Sequence, residues 1–191
     1  MDKIRWGIIG PGSIAHNFAD ALKQAYSGEL ISIASRTSNK LEEFGNKYQI
    51  KNEFRFNDYD ALLENENIDA VYIATPHVFH ADLSIRAAGK GKHILCEKPG
   101  AVNFAEASRV IEKIKEAGVF YKEGFMYRCH PQIPALINII KKNTIGKIKL
   151  ITSSFGFDMQ KIINDHRLFD KKLAGGAILD VGLYPVSVSY T

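Results

Sequence analysis

A glycine-rich turn between a strand and a helix is the feature that most constrains the fold of this chain. Residues 10–15 read GPGSIA and follow an apolar run from Ile4 to Ile9, which is typical of a buried strand. Apolar residues then recur at helical spacing to about residue 25. A strand, a GxGxxA turn and a helix in this order form the fingerprint of a dinucleotide-binding βαβ unit. The turn therefore predicts a parallel sheet that binds its ligand at the carboxyl ends of the strands.

Each residue of the turn has an expected role in holding a pyrophosphate. Gly10 permits the tight turn, Gly12 lets the backbone approach the phosphates, and Ala15 allows the helix to pack closely on the sheet. Ser13 precedes the helix, which is predicted to start at about Ile14, where free amide groups and the helix dipole favour an anion. The alternative is that the glycines serve only the turn.

The chain goes on alternating short apolar runs with helical patterns, as in a doubly wound α/β fold. Further strands are predicted at 30–34, 70–74, 93–96 and 119–122. Asn103 and Glu106 have the spacing of a capping box for a helix that ends at Gly118. That helix is expected to bury Phe104, Ala107, Val110, Ile111 and Ile114. Residues 1–122 are thus predicted to form an NAD(P)-binding Rossmann domain.

The pattern changes at residue 123. A helix is predicted after Pro131, followed by a β-rich run at 147–157, two adjacent glycines at 175–176 and an apolar stretch to residue 191. A few elements with an exposed apolar face do not make an independent domain. Residues 123–191 are therefore expected to be part of a C-terminal substrate-binding and dimerisation domain that is cut short.

Composition excludes several classes of protein. Of the 191 residues, 46% are hydrophobic and 24% charged, as in globular proteins, and the net charge of +4 comes from scattered lysines rather than a basic patch for nucleic acid. No apolar run approaches the roughly 20 residues that span a membrane, so a protein without a membrane span or a signal segment is expected. Cys96 and Cys129 lack CxxC spacing, so free thiols in a reducing cytoplasm are expected.

The residues after the second strand bear on the choice of nucleotide. An NAD enzyme usually has an acid there for the ribose hydroxyls, whereas this chain has Ser35, Arg36 and Thr37. An arginine can clamp a 2′-phosphate, and the two hydroxyls can donate to it. The sequence favours NADP, with NAD as the alternative cofactor and a surface arginine as the alternative role for Arg36.

Two further segments follow predicted strands and are expected beside the cofactor. Thr75 and Pro76 close one strand and are followed by His77 and His80, an HxxH pair. The histidines are expected to line the cofactor or cap a helix; no metal site is expected, because no third ligand is evident. Glu97 and Lys98 follow the next strand, at the edge where ligands bind in open α/β sheets.

Several motifs together resemble those of one family. They are GxGxxA, ATPHVFHAD at 74–82, EKP at 97–99, MYRxxP at 126–131 and GGAxLDVGxYP at 175–185. On these the chain resembles the glucose–fructose oxidoreductase/inositol dehydrogenase (Gfo/Idh/MocA) family across essentially its whole length. The resemblance implies a Rossmann domain followed by an α/β domain on an open, mostly antiparallel sheet, which often forms the dimer interface. Members usually run well beyond the length of this chain.

The resemblance also implies roles for three residues. Lys98 and Tyr184 would be catalytic and Asp180 would help to hold the substrate, with Lys98 also near the nicotinamide ribose. A lysine ammonium close to a tyrosine favours phenolate, which suits acid–base chemistry at a carbinol. Tyrosine at 184, where many members have histidine, resembles the NADP-using branch that contains glucose–fructose oxidoreductase and dimeric dihydrodiol dehydrogenase. The alternatives are a loop lysine, a packing tyrosine and an aspartate that caps a helix.

Two other polar residues have less defined roles. Arg128 is expected either to approach the nicotinamide side or to pair with an acid between the domains. His166 is expected to belong to a substrate loop with Arg167.

The leading functional hypothesis is an NADP-dependent oxidoreductase. It would move a hydride between nicotinamide and a hydroxyl or carbonyl of a sugar, polyol or cyclic diol, and the whole protein would be a homo-oligomer that binds neither nucleic acid nor membrane. A second hypothesis is a truncated module that binds NAD(P) as a sensor or scaffold without turnover. A third is an inactive product that exposes apolar surface and aggregates.

Overall fold

The computed structural model describes residues 2–158 and 167–190. They divide into two compact units, Met1–Glu123 (unit 1) and Gly124–Thr191 (unit 2). The boundary lies one residue from the predicted position, since Glu123 is the last residue of a strand. Within the described ranges, no helix is both long and apolar enough to cross a membrane.

Unit 1 alternates strands and helices along the chain. Its elements are β1 (Ile4–Ile9), α1 (Ser13–Leu22), β2 (Gly28–Ala34), α2 (Ser38–Lys47), β3 (Arg55–Phe56), α3 (Tyr59–Glu64), β4 (Ala70–Ile73), α4 (His80–Gly89), β5 (His93–Cys96), α5 (Phe104–Ala117) and β6 (Tyr121–Glu123). The strands form one parallel sheet in the order β3-β2-β1-β4-β5-β6. The predicted Rossmann architecture is confirmed, with a two-residue strand, β3, that the apolar pattern did not indicate.

The core lies on both faces of this sheet because successive strand residues point to opposite sides. Ile8 belongs to the cluster that packs on α1 and α2, whereas Ile9 belongs to the cluster that packs on α3 and α4. In the sheet order, β1 lies between β2 and β4, where the direction of winding reverses. The loops after β1 and β4 therefore flank the crevice in which such sheets bind their ligands.

The ends of α5 are as predicted, but its buried face is narrower. The Asn103 side chain accepts from the Glu106 amide at 2.9 Å, and Gly118 ends the helix with φ of 66°. Val110 is buried, whereas Phe104 is 87% exposed and Ile111 43% exposed, so the expectation that both are buried is wrong. The apolar stripe of α5 is wider than the face of the helix that packs on the sheet. Phe104 and Ile111 lie at the outer edge of this stripe.

Unit 2 contains two longer helices and several short turns. The longer helices are α6 (Gln132–Lys141) and α7 (Leu183–Ser189), the latter preceded by a π-helical turn at Ile178–Gly182. Residues 147–158 are exposed and form no strand, so the expected antiparallel sheet is not seen in the described part of unit 2. Alternating apolar residues give a segment the propensity for a strand, but a strand also needs a partner for its backbone hydrogen bonds.

Candidate functional site

The turn after β1 leaves open space in front of α1. Gly10 has φ of 95°, and a Cβ there would lie 3.0 Å from the carbonyl oxygen of Ala74, so this position requires glycine. Gly12 has φ of −81°, and a Cβ there would meet only the same oxygen, at 3.9 Å. Neither the backbone nor the surrounding protein requires glycine at 12. Its missing side chain instead keeps the approach to the helix open.

The N-terminus of α1 can accept an anion in that space. Gly12 provides no side-chain cap, and the first turn, which begins with Ser13 and Ile14, contains no acidic residue. The amide groups of a first turn have no partner within their own helix, and the helix dipole is positive at this end. These features fit a pyrophosphate of a dinucleotide, as the sequence predicts.

Thr75 presents a second polar group beside the turn. Its Oγ1 is buried and has no hydrogen-bond partner in the described part of the chain. Its methyl group would lie 3.1 Å from a Cβ on Gly10, so the side chain packs against the glycine turn. A buried hydroxyl without a partner is unfavourable, and a polar ligand would satisfy it. Pro76 and His77 follow, and His77 is also buried.

Arg36 lies in the loop after β2, exposed and stacked on two aromatic rings. Its Cζ lies 4.8 Å from the ring centre of Phe79 and 5.7 Å from that of Tyr59. No carboxylate pairs with it among the described residues. Thr37 is exposed beside it, and α2, which begins at the next residue, has neither a side-chain cap nor an acid in its first turn. The loop therefore presents positive charge and free amides to solvent.

Ser35 differs from its two neighbours. It is only 4% exposed, and its Oγ accepts from the Thr37 amide at 3.1 Å and donates to the Thr37 carbonyl at 3.2 Å. Its contact with the nucleotide stays a prediction, and the hydroxyl is bonded within the loop. Ser35 shapes the loop that displays Arg36 and Thr37.

The half-buried residues Glu97 and Lys98 follow β5, and their loop is anchored on both sides of the lysine. The Tyr72 hydroxyl donates to Glu97 Oε1 at 2.5 Å, and the Gly100 amide donates to Glu123 Oε1 at 2.7 Å. Burial, and then the charge of Glu97, raise the pKa of Tyr72, so its hydroxyl keeps the proton that it donates. Lys98 therefore lies between two anchored residues, Glu97 and Gly100. The peptide bond between Lys98 and Pro99 is cis.

His80 is fully buried and does not line an open site. Its Nε2 lies 2.7 Å from the Thr75 carbonyl oxygen, and its Nδ1 lies 2.7 Å from that of Pro99. It is the first residue of α4, and the expected roles of contacting the cofactor or capping the helix do not match this geometry. Within residues 2–158 and 167–190, no three His, Cys, Asp or Glu side chains form a group that could hold a metal.

In unit 2, Asp180 and Tyr184 lie four residues apart, and successive turns of a helix place such residues on one face. Asp180 belongs to the π-helical turn and is 8% exposed. Tyr184, in α7, has ring centres of Phe155 at 5.1 Å and Phe125 at 5.7 Å around it. The aspartate lies inside a helical segment rather than at its cap, and the tyrosine is held by aromatic packing.

Arg128 binds within unit 2. Its Nε donates to Ser187 Oγ at 3.1 Å, and a terminal guanidinium nitrogen donates to the Ser187 carbonyl at 2.9 Å. The Tyr127 hydroxyl donates to the same Ser187 Oγ at 2.7 Å. These bonds tie the turn at Met126–Cys129 to α7, a role that the sequence did not indicate for Arg128. His166 lies outside the described residues.

Comparison with known proteins places this geometry in a family. The sequence model of the "Oxidoreductase family, NAD-binding Rossmann fold", GFO_IDH_MocA, matches residues 4–125, which include every unit 1 loop described above. The chain belongs to the Gfo/Idh/MocA oxidoreductase family. The resemblance found in its motifs is thereby confirmed, together with an NAD(P) nucleotide as the cofactor of the fold.

Members of this family with known names match almost the whole chain. Mouse trans-1,2-dihydrobenzene-1,2-diol dehydrogenase is 36% identical over 185 residues, which are 96% of this chain and 54% of the mouse protein. D-xylose 1-dehydrogenase (NADP(+)) 2 of Haloferax volcanii is 35% identical over 96% of this chain and 55% of its own length. The chain thus spans about half the length of the curated relatives it matches.

A solved structure is similar to this chain over most of its length. KijD10, a 3-ketoreductase from Actinomadura kijaniata in complex with NADP and TDP-benzene, is 34% identical to this Gfo/Idh/MocA protein, with a TM-score of 0.86. The match covers 98% of this chain and 57% of KijD10.

Sequence reasoning missed residues that hold the Lys98 loop. Tyr72 lies in a strand that reads as a fully apolar run, so its hydroxyl gave no signal. Glu123 marked only the change of pattern between domains, although its carboxylate binds Gly100. A buried tyrosine one strand away from an EKP motif could have indicated the first contact, because adjacent parallel strands end at the same edge.

Proposed function

We propose that this chain is the cofactor-binding part, with a portion of the substrate-binding part, of an NADP-dependent oxidoreductase. The reaction moves a hydride between nicotinamide and the carbon of a hydroxyl or carbonyl group in a sugar, polyol or cyclic diol. Membership of the family supports the reaction type, and relatives named as a diol dehydrogenase and a xylose dehydrogenase support the substrate class. A homo-oligomer of the whole protein is part of the same proposal.

The observation that carries the choice of NADP is the position of Arg36. The guanidinium is exposed, stacked on Phe79 and Tyr59, and unpaired with any described carboxylate at the end of β2. A 2′-phosphate there would receive bonds from the planar guanidinium and from amides at the uncapped start of α2. The ribose of NAD would meet no acid in the residues 35–37.

We assign roles in the reaction to Lys98, Tyr184 and Asp180. When bound, the nicotinamide supplies or accepts the hydride. Tyr184 exchanges the proton of the substrate hydroxyl, and Lys98 is the second catalytic residue. Asp180 accepts a hydrogen bond from a substrate hydroxyl and so orients the reacting carbon. The proton that leaves the hydroxyl and the hydride that leaves the carbon together convert the alcohol to a carbonyl.

The nucleotide choice is tested by fluorescence titration of the purified chain with NADPH and with NADH. Arg36→Ala should weaken NADPH binding by about 10- to 100-fold, the loss of charge-assisted bonds to a phosphate, and change NADH binding little. Arg109→Ala removes the same charge from the exposed side of α5 and is the matched control. Equal losses for both nucleotides, or tighter binding of NADH by the unaltered chain, would contradict the assignment.

Turnover is tested in the same chain with panels of sugars and diols. Lys98→Met and Tyr184→Phe should each abolish nicotinamide reduction while NADPH binding by Tyr184→Phe stays unchanged. Binding of NADPH without turnover of any panel member would favour the second hypothesis, a module that holds the nucleotide without catalysis.

A further inference from the structure

His80 links the loop after β4 to the loop after β5. Its Nε2 faces the carbonyl of Thr75, which packs against the glycine turn, and its Nδ1 faces the carbonyl of Pro99, next to Lys98. Both separations are 2.7 Å, at the short end of the range for nitrogen–oxygen hydrogen bonds. The imidazole ring is completely inaccessible to solvent, so water cannot replace either bond.

Both groups that face the ring nitrogens of His80 are hydrogen-bond acceptors. A carbonyl oxygen can only accept a hydrogen bond, whereas a neutral imidazole has one N–H group and one bare nitrogen. A bare nitrogen 2.7 Å from a carbonyl oxygen would place two lone pairs against each other. A doubly protonated ring donates to both carbonyls, whereas a neutral ring donates to only one of them.

These bonds complete the attachment of the Lys98 loop. The Tyr72 hydroxyl anchors Glu97, and Glu123 anchors Gly100, but both come from strands that border β5. The hydrogen bonds of His80 join the loop after β5, which contains Lys98, to the loop after β4, which contains Thr75. Thr75 packs against the glycine turn where we propose that the pyrophosphate binds.

We propose that His80 is a positioning residue, a doubly protonated clamp that sets Lys98 relative to the bound dinucleotide. The inference rests on the proposed function of Lys98 and of the glycine turn. His80 itself touches neither cofactor nor substrate.

Two conservative variants separate the two arms of the clamp. The amide nitrogen of asparagine lies near the position of Nδ1, and that of glutamine near the position of Nε2. His80→Asn therefore keeps a donor toward Pro99, whereas His80→Gln keeps a donor toward Thr75. Each variant loses one bond in the same buried place, so their melting temperatures should be similar.

The readout is the acetylation rate of Lys98, measured by peptide mass spectrometry with and without saturating NADPH. NADPH should slow the acetylation of Lys98 in the unaltered chain. In His80→Gln, NADPH should slow the acetylation of Lys98 by less than about 2-fold, while the Kd for NADPH changes less than about 3-fold. In His80→Asn the protection should persist once NADPH is saturating, and the Kd should rise by about 10-fold, the effect of one strong hydrogen bond. His93→Gln, at the amino end of β5, is the matched control and should change neither quantity.

The outcomes distinguish the clamp from the function on which it rests. Absence of protection in the unaltered chain would overturn the proposed place of Lys98 beside the cofactor. Protection in the unaltered chain and equally in both His80 variants, with unchanged Kd, would overturn the clamp alone. Identical losses in the two variants would show a purely structural role and would also overturn it.

The protonation is tested separately by ¹⁵N NMR of the histidine rings at neutral pH. Both nitrogens of His80 should show a directly bonded hydrogen. A spectrum with one bare nitrogen at His80 would contradict the clamp as described.

Discussion

Gly10 and Gly12 lie two residues apart in the turn after β1, yet the structure gives them different reasons to be glycine. The first has a positive φ and a close carbonyl neighbour, and the second has an ordinary φ and open space around it. Gly10→Ala should therefore lower the free energy of unfolding by at least about 1 kcal/mol, the typical penalty for a side chain in a left-handed conformation. Urea denaturation of the purified variant measures this loss, and an unchanged midpoint would contradict the strain argument.

Gly12→Ala should show the opposite pattern. Its methyl group would meet only the Ala74 carbonyl, at 3.9 Å, so the free energy of unfolding should change by less than about 1 kcal/mol. NADPH binding should nevertheless weaken by at least about 10-fold, because the methyl group occupies the space through which phosphates reach the start of α1. Unchanged binding would mean that the nucleotide does not approach at Gly12. The pair of variants separates stability from binding within one turn.

Residue types were easier to predict than the contacts that they make. The sequence predicts a role for Arg36 because an arginine in place of an acid changes which nucleotide the loop favours, and Arg36 is exposed as that role requires. For His80 the sequence shows only the spacing to His77, whereas its two carbonyl partners come from segments 5 and 19 residues away. Hydrogen bonds of that kind depend on the packing of two loops, which no sequence pattern encodes.

At the scale of elements, three neighbouring strands each contain a buried or half-buried group that ionises at high pH. Burial is the first cause that raises the pKa of Tyr72 in β4, Cys96 in β5 and Tyr121 in β6 above the ordinary values. The unfolded chain ionises these groups near pH 8.5 for a thiol and near pH 10 for a phenol, while the folded chain keeps them neutral. Their contribution to stability is therefore complete below about pH 8.5 and is lost progressively as the pH rises above it.

The urea midpoint should consequently fall between pH 8.5 and 11, and it should fall less steeply in Tyr72→Phe. That variant removes one of the ionising groups, whereas Tyr26→Phe removes a phenol that is 97% exposed and serves as the control. If the urea midpoint fell with the same slope against pH in the unaltered chain and both variants, Tyr72 would not be one of the groups responsible. The comparison uses slopes because Tyr72→Phe also removes the bond to Glu97 and so changes the absolute stability.

Elements whose signal is local were predicted well. The bounds of β1 and β5 and the capping box of α5 follow from short apolar runs and from residues three apart in sequence. Features that depend on a partner element were not predicted: β3 has two residues and exists because β2 lies beside it. The same dependence explains residues 147–157, where a strand-like pattern has no described partner.

At the scale of the whole molecule, the buried apolar side chains among residues 2–158 and 167–190 all belong to unit 1. In the described part of unit 2, the buried residues are Asp180 and Ser187. A fragment of residues 1–123 should therefore unfold cooperatively, since burial of apolar surface is the main source of stability. Its free energy of unfolding should lie within about 1 kcal/mol of that of the full chain. It should also bind NADPH with a Kd within about 3-fold of the full chain. Non-cooperative unfolding of the fragment, followed by circular dichroism, would show that unit 1 needs unit 2 to fold.

The anchors of the Lys98 loop have a consequence for how such a protein can diversify. Tyr72, His80 and Glu123 all lie in unit 1, as does the loop that they hold. The groups proposed to meet the substrate, Asp180 and Tyr184, lie in unit 2, on elements that contain neither Lys98 nor its anchors. Mutations that reshape unit 2 can therefore explore new substrates without disturbing the lysine, and the cofactor half can be inherited unchanged while the other half varies.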